Sequence, residues 1–293
     1  GGQVTSDIAF RVSGLPEHRL DIYRPEGFEG PLPLLLYVHG GGFRILSKDS
    51  HWMFGVGFAR LGFVVANISY RLAPEHPFPA AVQDTFHALE YVLDNAASWG
   101  ADPTRLAYAG ESAGANLIMS LTAAGAWQRP EDYAAPIYAR DPRPTAVIPA
   151  CGFLQVSNPE RYLNDESIPG WMRGRIVAIC KAYLPSPPAV EGPSLADPLL
   201  IFEQAEPPAR PLPAVFAPCG SKDPVLDDSV RLGKAVQRFD IPSAAPVYDG
   251  GIHSFQAVIW NELARRYWRD TASFLAEQGL VDAGRIDELV PLS

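Results

Sequence analysis

Four short runs of this chain are apolar at nearly every position: Leu34–Val38, Phe63–Ile68, Arg105–Ala109 and Thr145–Ala150. A strand with one face in water alternates apolar and polar residues. A strand apolar throughout has to be covered on both faces, as central strands of a parallel sheet are. The stretches between the runs carry helical spacing. From Pro79 to Trp99, apolar Val82, Phe86, Leu89 and Val92/Leu93 recur every three or four residues, the stripe of an amphipathic helix. Ala115–Ala126 has only Asn116, Ser120 and Thr122 as polar residues and reads as a buried helix. Alternation of this kind gives an α/β fold with helices on both faces of a mainly parallel sheet. Further strands are expected at Asp7–Val12, Arg19–Tyr23, Ala214–Ala217 and Ala244–Tyr248, and further helices at Val225–Phe239 and Phe255–Gln278.

The alternation lapses after Gly152. Between residues 153 and 210 the only regular element expected is a helix at Met172–Tyr183, and nine prolines fall between Pro185 and Pro213. Proline removes a backbone donor and breaks helix interiors and central strands. Residues 153–210 therefore read as a cap or lid inserted into an α/β core made of residues 1–152 and 211–293. The 293 residues fit one domain of this kind, and 47% hydrophobic with 19% charged residues describes a folded globule. The net charge of −9 and the absence of a Lys/Arg run argue against nucleic acid and anionic lipid as partners. Three widely spaced cysteines, Cys151, Cys180 and Cys219, form neither a disulfide framework nor a metal-binding pair. No apolar run of membrane-spanning length and no leader pattern is visible. The expected location is cytoplasmic.

The chemistry lies at the ends of the strands. Gly110-Glu111-Ser112-Ala113-Gly114 follows one strand directly and opens a helix. A serine in so tight a turn presents its hydroxyl above the sheet, and the flanking glycines leave room for neighbouring backbone. His39-Gly40-Gly41-Gly42 ends another strand. Its glycines let backbone N–H groups face inward, as stabilising a tetrahedral oxyanion requires. The expected donors are the amides of Gly41, Gly42 and Ala113. A phosphate-binding loop would need a following Lys-Ser/Thr or G-x-G-x-x-G spacing, and neither is present. His39 is expected to anchor its loop rather than react. In hydrolases of this layout the nucleophile, acid and base follow in that order. Of six histidines only His253 lies after Ser112, so His253 is the expected general base. Asp223, after the strand Ala214–Ala217, is the expected acid that orients it. Asp227 and Asp228 start the next helix, where capping is the simpler role, and Asp249 is expected to brace the His253 loop.

The chain resembles the hormone-sensitive-lipase-like α/β-hydrolases, the bacterial family IV esterases. The matching stretches are His39–Phe43, Ser69–Ala80, Gly110–Leu117, Asp223-Pro224 and His253–Phe255, in the family's order. The resemblance implies a central, mostly parallel eight-stranded sheet and a serine hydrolase of short- to medium-chain carboxylic esters. It implies no cofactor, no metal and a homodimer formed through the last strand or helix. It supports Ser112, Asp223 and His253 as triad and Gly41, Gly42 and Ala113 as oxyanion donors. Glu111 stands where the family often has Asp, and Ser254 where it often has Gly. The segment before Leu34 is short and strand-like, so the cap is expected to come from residues 153–210. Arg71 and Glu75 are expected to pair beneath the site. Phe43, Phe153, Trp171, Met172 and Phe202 are the candidates for lining the pocket. An amidase or arylformamidase would use the same triad, and a non-catalytic binding protein could keep the fold. A long-chain lipase is not expected, since no large apolar lid helix is evident.

Overall fold

A computed structural model describes residues 2–188 and 190–289. In chain order the elements are β1 (Gly2–Ala9), β2 (Arg19–Pro25), β3 (Leu32–Val38), α1 (Trp52–Arg60), β4 (Val64–Ile68), α2 (Ala80–Asn95), β5 (Ala101–Glu111), α3 (Ala113–Ala126), α4 (Ala135–Arg140) and β6 (Pro144–Ala150). There follow α5 (Glu160–Leu163), α6 (Gly170–Tyr183), α7 (Pro198–Gln204), β7 (Ala214–Phe216), β8 (Cys219–Gly220), α8 (Leu226–Gln237), β9 (Ser243–Ala244), β10 (Val247–Tyr248), α9 (Glu262–Glu277) and α10 (Ile286–Leu289).

Eight strands form one sheet in the order β1-β2-β4-β3-β5-β6-β7-β9. β1 and β2 run antiparallel to their neighbours, and every pairing from β4 to β9 is parallel. The apolar runs are central because both of their faces are buried. Leu34, Leu36 and Val38 point into the layer of α2, α3 and α8, with Leu89, Ile118 and Leu232. Leu35 and Tyr37 point the other way, onto Phe54 and Phe58 of α1 and Trp268 of α9. Val38 pairs with Gly110, and Glu111 with Ala150. The carboxyl ends of β3, β5 and β6 are therefore adjacent, and the loops leaving them meet.

Several boundaries differ from the expected ones. β1 starts at Gly2 and ends at Ala9 rather than covering Asp7–Val12, and nearly all its residues are exposed. The chain bulges at Asp7, where φ is +60° and its N–H donates to Asp21 Oδ1. The last strand is split at Pro246, which has no N–H to give a ladder: β9 joins the main sheet, while β10 pairs with β8. The final helix begins only at Glu262, where the Asn261 side chain caps the Leu263 N–H. Helix α1 carries little sequence signal because it contains Gly55 and Gly57. A Cβ on either would lie 2.6 Å from the ring of Tyr23 or Trp268, so close packing has selected glycine where helix propensity disfavours it.

The 153–210 segment is tied to the core at its start. Asp228 Oδ2 accepts the N–H groups of Leu154 (2.8 Å) and Gln155 (3.1 Å), and Asp197 Oδ1 accepts that of Ser157 (3.0 Å). Helix α7 forms within the proline-rich stretch because Pro198 occupies its first turn, where the missing N–H costs nothing. Arg161 completes the shell of Asp228, with Nη2 donating to Oδ2 at 2.9 Å. Asp228 is fully buried, so its role is to hold the chain after β6 rather than to cap α8. Asp228→Ala would leave two amides without their acceptor and take from the half-buried Arg161 its buried carboxylate partner, with Gln155 O and the exposed Asp227 remaining to it. A loss of about 3–5 kcal/mol in urea denaturation is expected, and a loss below about 1 kcal/mol would contradict this role.

Candidate active site

The turn after β5 is strained by design. Ser112 has φ +52° and ψ −114°, a region that residues with a Cβ seldom occupy. It is held by its N–H donating to Ala150 O and by its carbonyl accepting from Phe153 N–H. The two glycines are steric requirements. A Cβ on Gly114 would lie 2.0 Å from Val38 O, and one on Gly110 2.7 Å from Gly114 O. Only glycine lets α3 start so close under the end of β3.

Three distant stretches then meet. Ser112 Oγ lies 2.9 Å from His253 Nε2, and His253 Nδ1 lies 2.9 and 3.0 Å from the carboxylate oxygens of Asp223. The acceptor at Nδ1 makes that nitrogen the N–H donor, which leaves Nε2 free to accept from the serine hydroxyl. Asp223 is fixed between β8 and α8, its Oδ1 also accepting the N–H of Val225 at 3.0 Å. The loops carrying acid and base touch along their backbones. Lys222 N–H donates to Gly251 O, and a Cβ on Gly220 would lie 2.2 Å from that oxygen. Asp249 braces the loop by accepting from Ser221 Oγ at 3.2 Å. Burial alone would lower the pKa of His253, but the hydrogen bond and charge of Asp223, helped by the charge of Glu111, outweigh it and hold the imidazole above its ordinary value.

The glycine loop after β3 lies beside this turn. Gly41 and Gly42 have φ of +108° and +59°, and Gly41 O closes the turn by accepting from Arg44 and Ile45 N–H. A Cβ on Gly41 would lie 2.1 Å from Ile45 O. Among the described residues no protein group accepts from the N–H of Gly41, Gly42 or Ala113. His39 is an anchor. Its ring stacks on Tyr70 at 4.2 Å, its Nδ1–H donates to Gly40 O at 2.7 Å, and Tyr70 Oη donates to His39 O. Burial, opposed by the Gly40 hydrogen bond, takes its pKa down to about 3, so the ring is neutral.

The site opens into a cleft of about 510 Å³. Phe153, Trp171 and Met172 line it, together with Ile176 and Ile179 of α6. Phe43 and Phe202 do not. Phe43 is buried, stacked on Tyr183 at 3.6 Å, and Phe202 packs edge-on to Trp127. Arg71 is paired with Asp84, not Glu75: Nε and Nη2 reach the two carboxylate oxygens at 2.8 and 2.9 Å, while Glu75 is exposed. Asp84 sits one turn into α2, where the ring of His18 also meets it. A hollow of about 560 Å³ near β1, bordered by Arg24, Arg60 and Arg285, holds no nucleophile–base pair. Among the described residues the one grouping with metal-ligand atoms in reach is Cys151, Asp223 and His253. The Cys151 thiol is held well above its ordinary pKa, by burial first and then by the charges of Asp223 and Glu111. It stays protonated, while metal binding requires a thiolate, and the other two residues already satisfy each other.

Sequence reasoning passed over Glu111 and Gln256. Both are buried. Glu111 Oε1 accepts from His51 Nε2 at 3.0 Å, and its Oε2 accepts from Gln256 Nε2 at 3.3 Å. The available signal was an ionisable residue inside an otherwise apolar strand end.

The sequence pattern of the α/β-hydrolase fold matches residues 35–257. The carboxylesterase NlhH of Mycobacterium tuberculosis is 41% identical over 105 residues, 36% of this chain and 33% of that protein. Esterase LipI of the same organism is 30% identical over 228 residues, 72% of this chain and 61% of its own. The matched part of the chain thus spans about a third of the first of these relatives and less than two thirds of the second. An esterase of Pyrobaculum calidifontis superposes with a TM-score of 0.77 at 26% identity, covering 95% of this chain and 86% of that one. A bacterial heroin esterase gives a TM-score of 0.74 at 25% identity, covering 95% and 84%. With a pattern that runs from β3 through the His253 loop, and with the glycine loop and serine turn where that family carries them, this chain belongs to the hormone-sensitive-lipase-like branch of the α/β-hydrolases.

Proposed function

We propose that the chain is a serine carboxylesterase acting on short- to medium-chain esters. The carrying observation is the unbroken line from Asp223 through His253 to Ser112 Oγ at hydrogen-bond distances, opening into an apolar cleft. Relatives named carboxylesterase, esterase and acetyl esterase support the reaction class. In the proposed reaction Ser112 Oγ attacks the ester carbonyl carbon while His253 Nε2 takes its proton. The carbonyl oxygen becomes an oxyanion facing the amides of Gly41, Gly42 and Ala113, with the start of α3 adding its positive end. Collapse of the intermediate breaks the ester C–O bond, and His253 returns the proton to the departing alcohol. Water then attacks the acyl-enzyme by the same route and frees the acid. A cleft of about 510 Å³ under α6 has room for the acyl and alcohol parts of a small ester together. Residues 153–210 serve as its cap in this reading. Three free, buried cysteines agree with a reducing compartment, so a cytoplasmic location is part of the proposal. Among the described residues no helix is long and apolar enough to cross a membrane.

A series of 4-nitrophenyl esters tests the reading. kcat/KM should peak at short or medium chains and fall toward palmitate, and a fluorophosphonate should label Ser112. The pH profile carries a second check. His253 acts as a base only when unprotonated, and its pKa is raised. Activity should therefore decline on acidification through a pH above the ordinary imidazole value of about 6.5. Absence of ester hydrolysis, or labelling at another serine, defeats the proposal.

A further inference from the structure

The nucleophile turn contains a second carboxylate that the reaction above does not use. Glu111 immediately precedes Ser112, and its side chain is only 7% exposed. It touches each of the three loops on which the chemistry depends. Toward the glycine loop, Gly40 makes room for it: a Cβ there would lie 2.5 Å from Glu111 Oε1. The same oxygen accepts from His51 Nε2 at 3.0 Å, and His51 is held near the Ser47 carbonyl and the Ser50 hydroxyl. Toward the base loop, Oε2 accepts from Gln256 Nε2 at 3.3 Å. Ser254, the neighbour of His253, also hydrogen-bonds to the carboxylate. Burial would raise the pKa of Glu111, but His51 and Ser254 outweigh it and keep the group below its ordinary value, hence ionised.

We propose that Glu111 is a positioning residue, a buried charged clasp that sets the distance between the glycine loop, the Ser112 turn and the His253 loop. A carboxylate with its two oxygens turned to different loops fixes both at once, which a neutral side chain of the same size does less strongly. Its negative charge also favours the imidazolium that forms on His253 when Ser112 attacks the ester carbonyl and gives up its proton. The groups facing Glu111 are His39, His51, His253, Cys151 and the hydroxyls of Tyr37, Tyr70 and Tyr267. Asp223 faces His253 from the opposite side. This inference rests on the esterase reading.

The test compares the parent with Glu111→Gln and Glu111→Asp on 4-nitrophenyl butyrate, with rates expressed per fluorophosphonate-titrated site so that only folded protein is counted. Glu111→Gln should lower kcat by about 10- to 100-fold, the scale of a small misplacement of reacting groups, and leave KM within about twofold. Loss of the charge should also move the acid limb of kcat/KM to lower pH. Glu111→Asp keeps the charge but shortens the reach, so kcat should fall about tenfold while the acid limb stays with the parent. Parent-like kcat in either variant overturns the proposal. So does a fall in kcat for Glu111→Gln with an unmoved acid limb, which is the mark of a merely structural role. If the Gln variant does not fold, the Asp variant decides alone. A Ser112→Ala control separates the two readings: if that variant is active the esterase assignment fails, and if it is dead while the Glu111 variants match the parent only this inference fails.

Discussion

Ser112→Ala is expected to lower kcat by about 10⁴-fold or more, with KM little changed, because the proposed nucleophile is absent while the cleft and the amides remain. The protein should still fold. Ser112 holds its turn through backbone groups, N–H to Ala150 O and carbonyl from Phe153 N–H, and alanine keeps both. Its positive φ strains alanine no more than serine. The measurement is single-turnover acylation by 4-nitrophenyl butyrate, beside a thermal melt. An alanine variant within tenfold of the parent would remove Ser112 from the mechanism.

Asp223→Asn should cost about 10³- to 10⁴-fold in kcat. The asparagine amide would donate to Nδ1, where the carboxylate accepts at 2.9 and 3.0 Å. The ring would then carry its proton on Nε2 and could no longer take one from Ser112. The charge that holds His253 above its ordinary pKa would also be gone, so any remaining acid limb should lie at lower pH. The low-field proton resonance of a Nδ1–H bound to a carboxylate should disappear from the NMR spectrum. Persistence of that resonance with full activity would move the acid's role to another residue, and Asp249, already bound to Ser221, is the nearest in sequence to His253.

What could be read before folding follows the range of the interactions involved. Ser112 and the Gly41–Gly42 pair sit in contiguous motifs whose geometry is local, so residue type and spacing carried most of the information. His253 could be chosen by chain order because no other histidine follows Ser112, and Asp223 by its place just after the strand Ala214–Ala217. The partner of Arg71 could not: Asp84 reaches it from one turn into α2, and only the angle of that helix selects it over the nearer Glu75. Pocket lining was equally hidden. Phe43 and Phe153 look alike in sequence, yet one is stacked under Tyr183 and the other faces the cleft. Helix α1 escaped notice because close packing placed two glycines in it, and α7 because a proline that forbids a helix interior is acceptable at its first turn. Glu111 was visible as a departure within a motif, but its three-way contact depends on loops brought together by the sheet.

The contact between α6 and Gly42 has a consequence for selectivity. A Cβ on Gly42 would come within 2.8 Å of Ile179 Cδ1, so the ceiling of the cleft rests directly on one of the glycines assigned to the oxyanion. An oversized acyl chain that wedges this ceiling upward would slacken the very amides its own carbonyl needs. On the proposed mechanism, bulky esters are then discriminated against at the barrier crossing more than at capture, as slow turnover of a well-occupied enzyme.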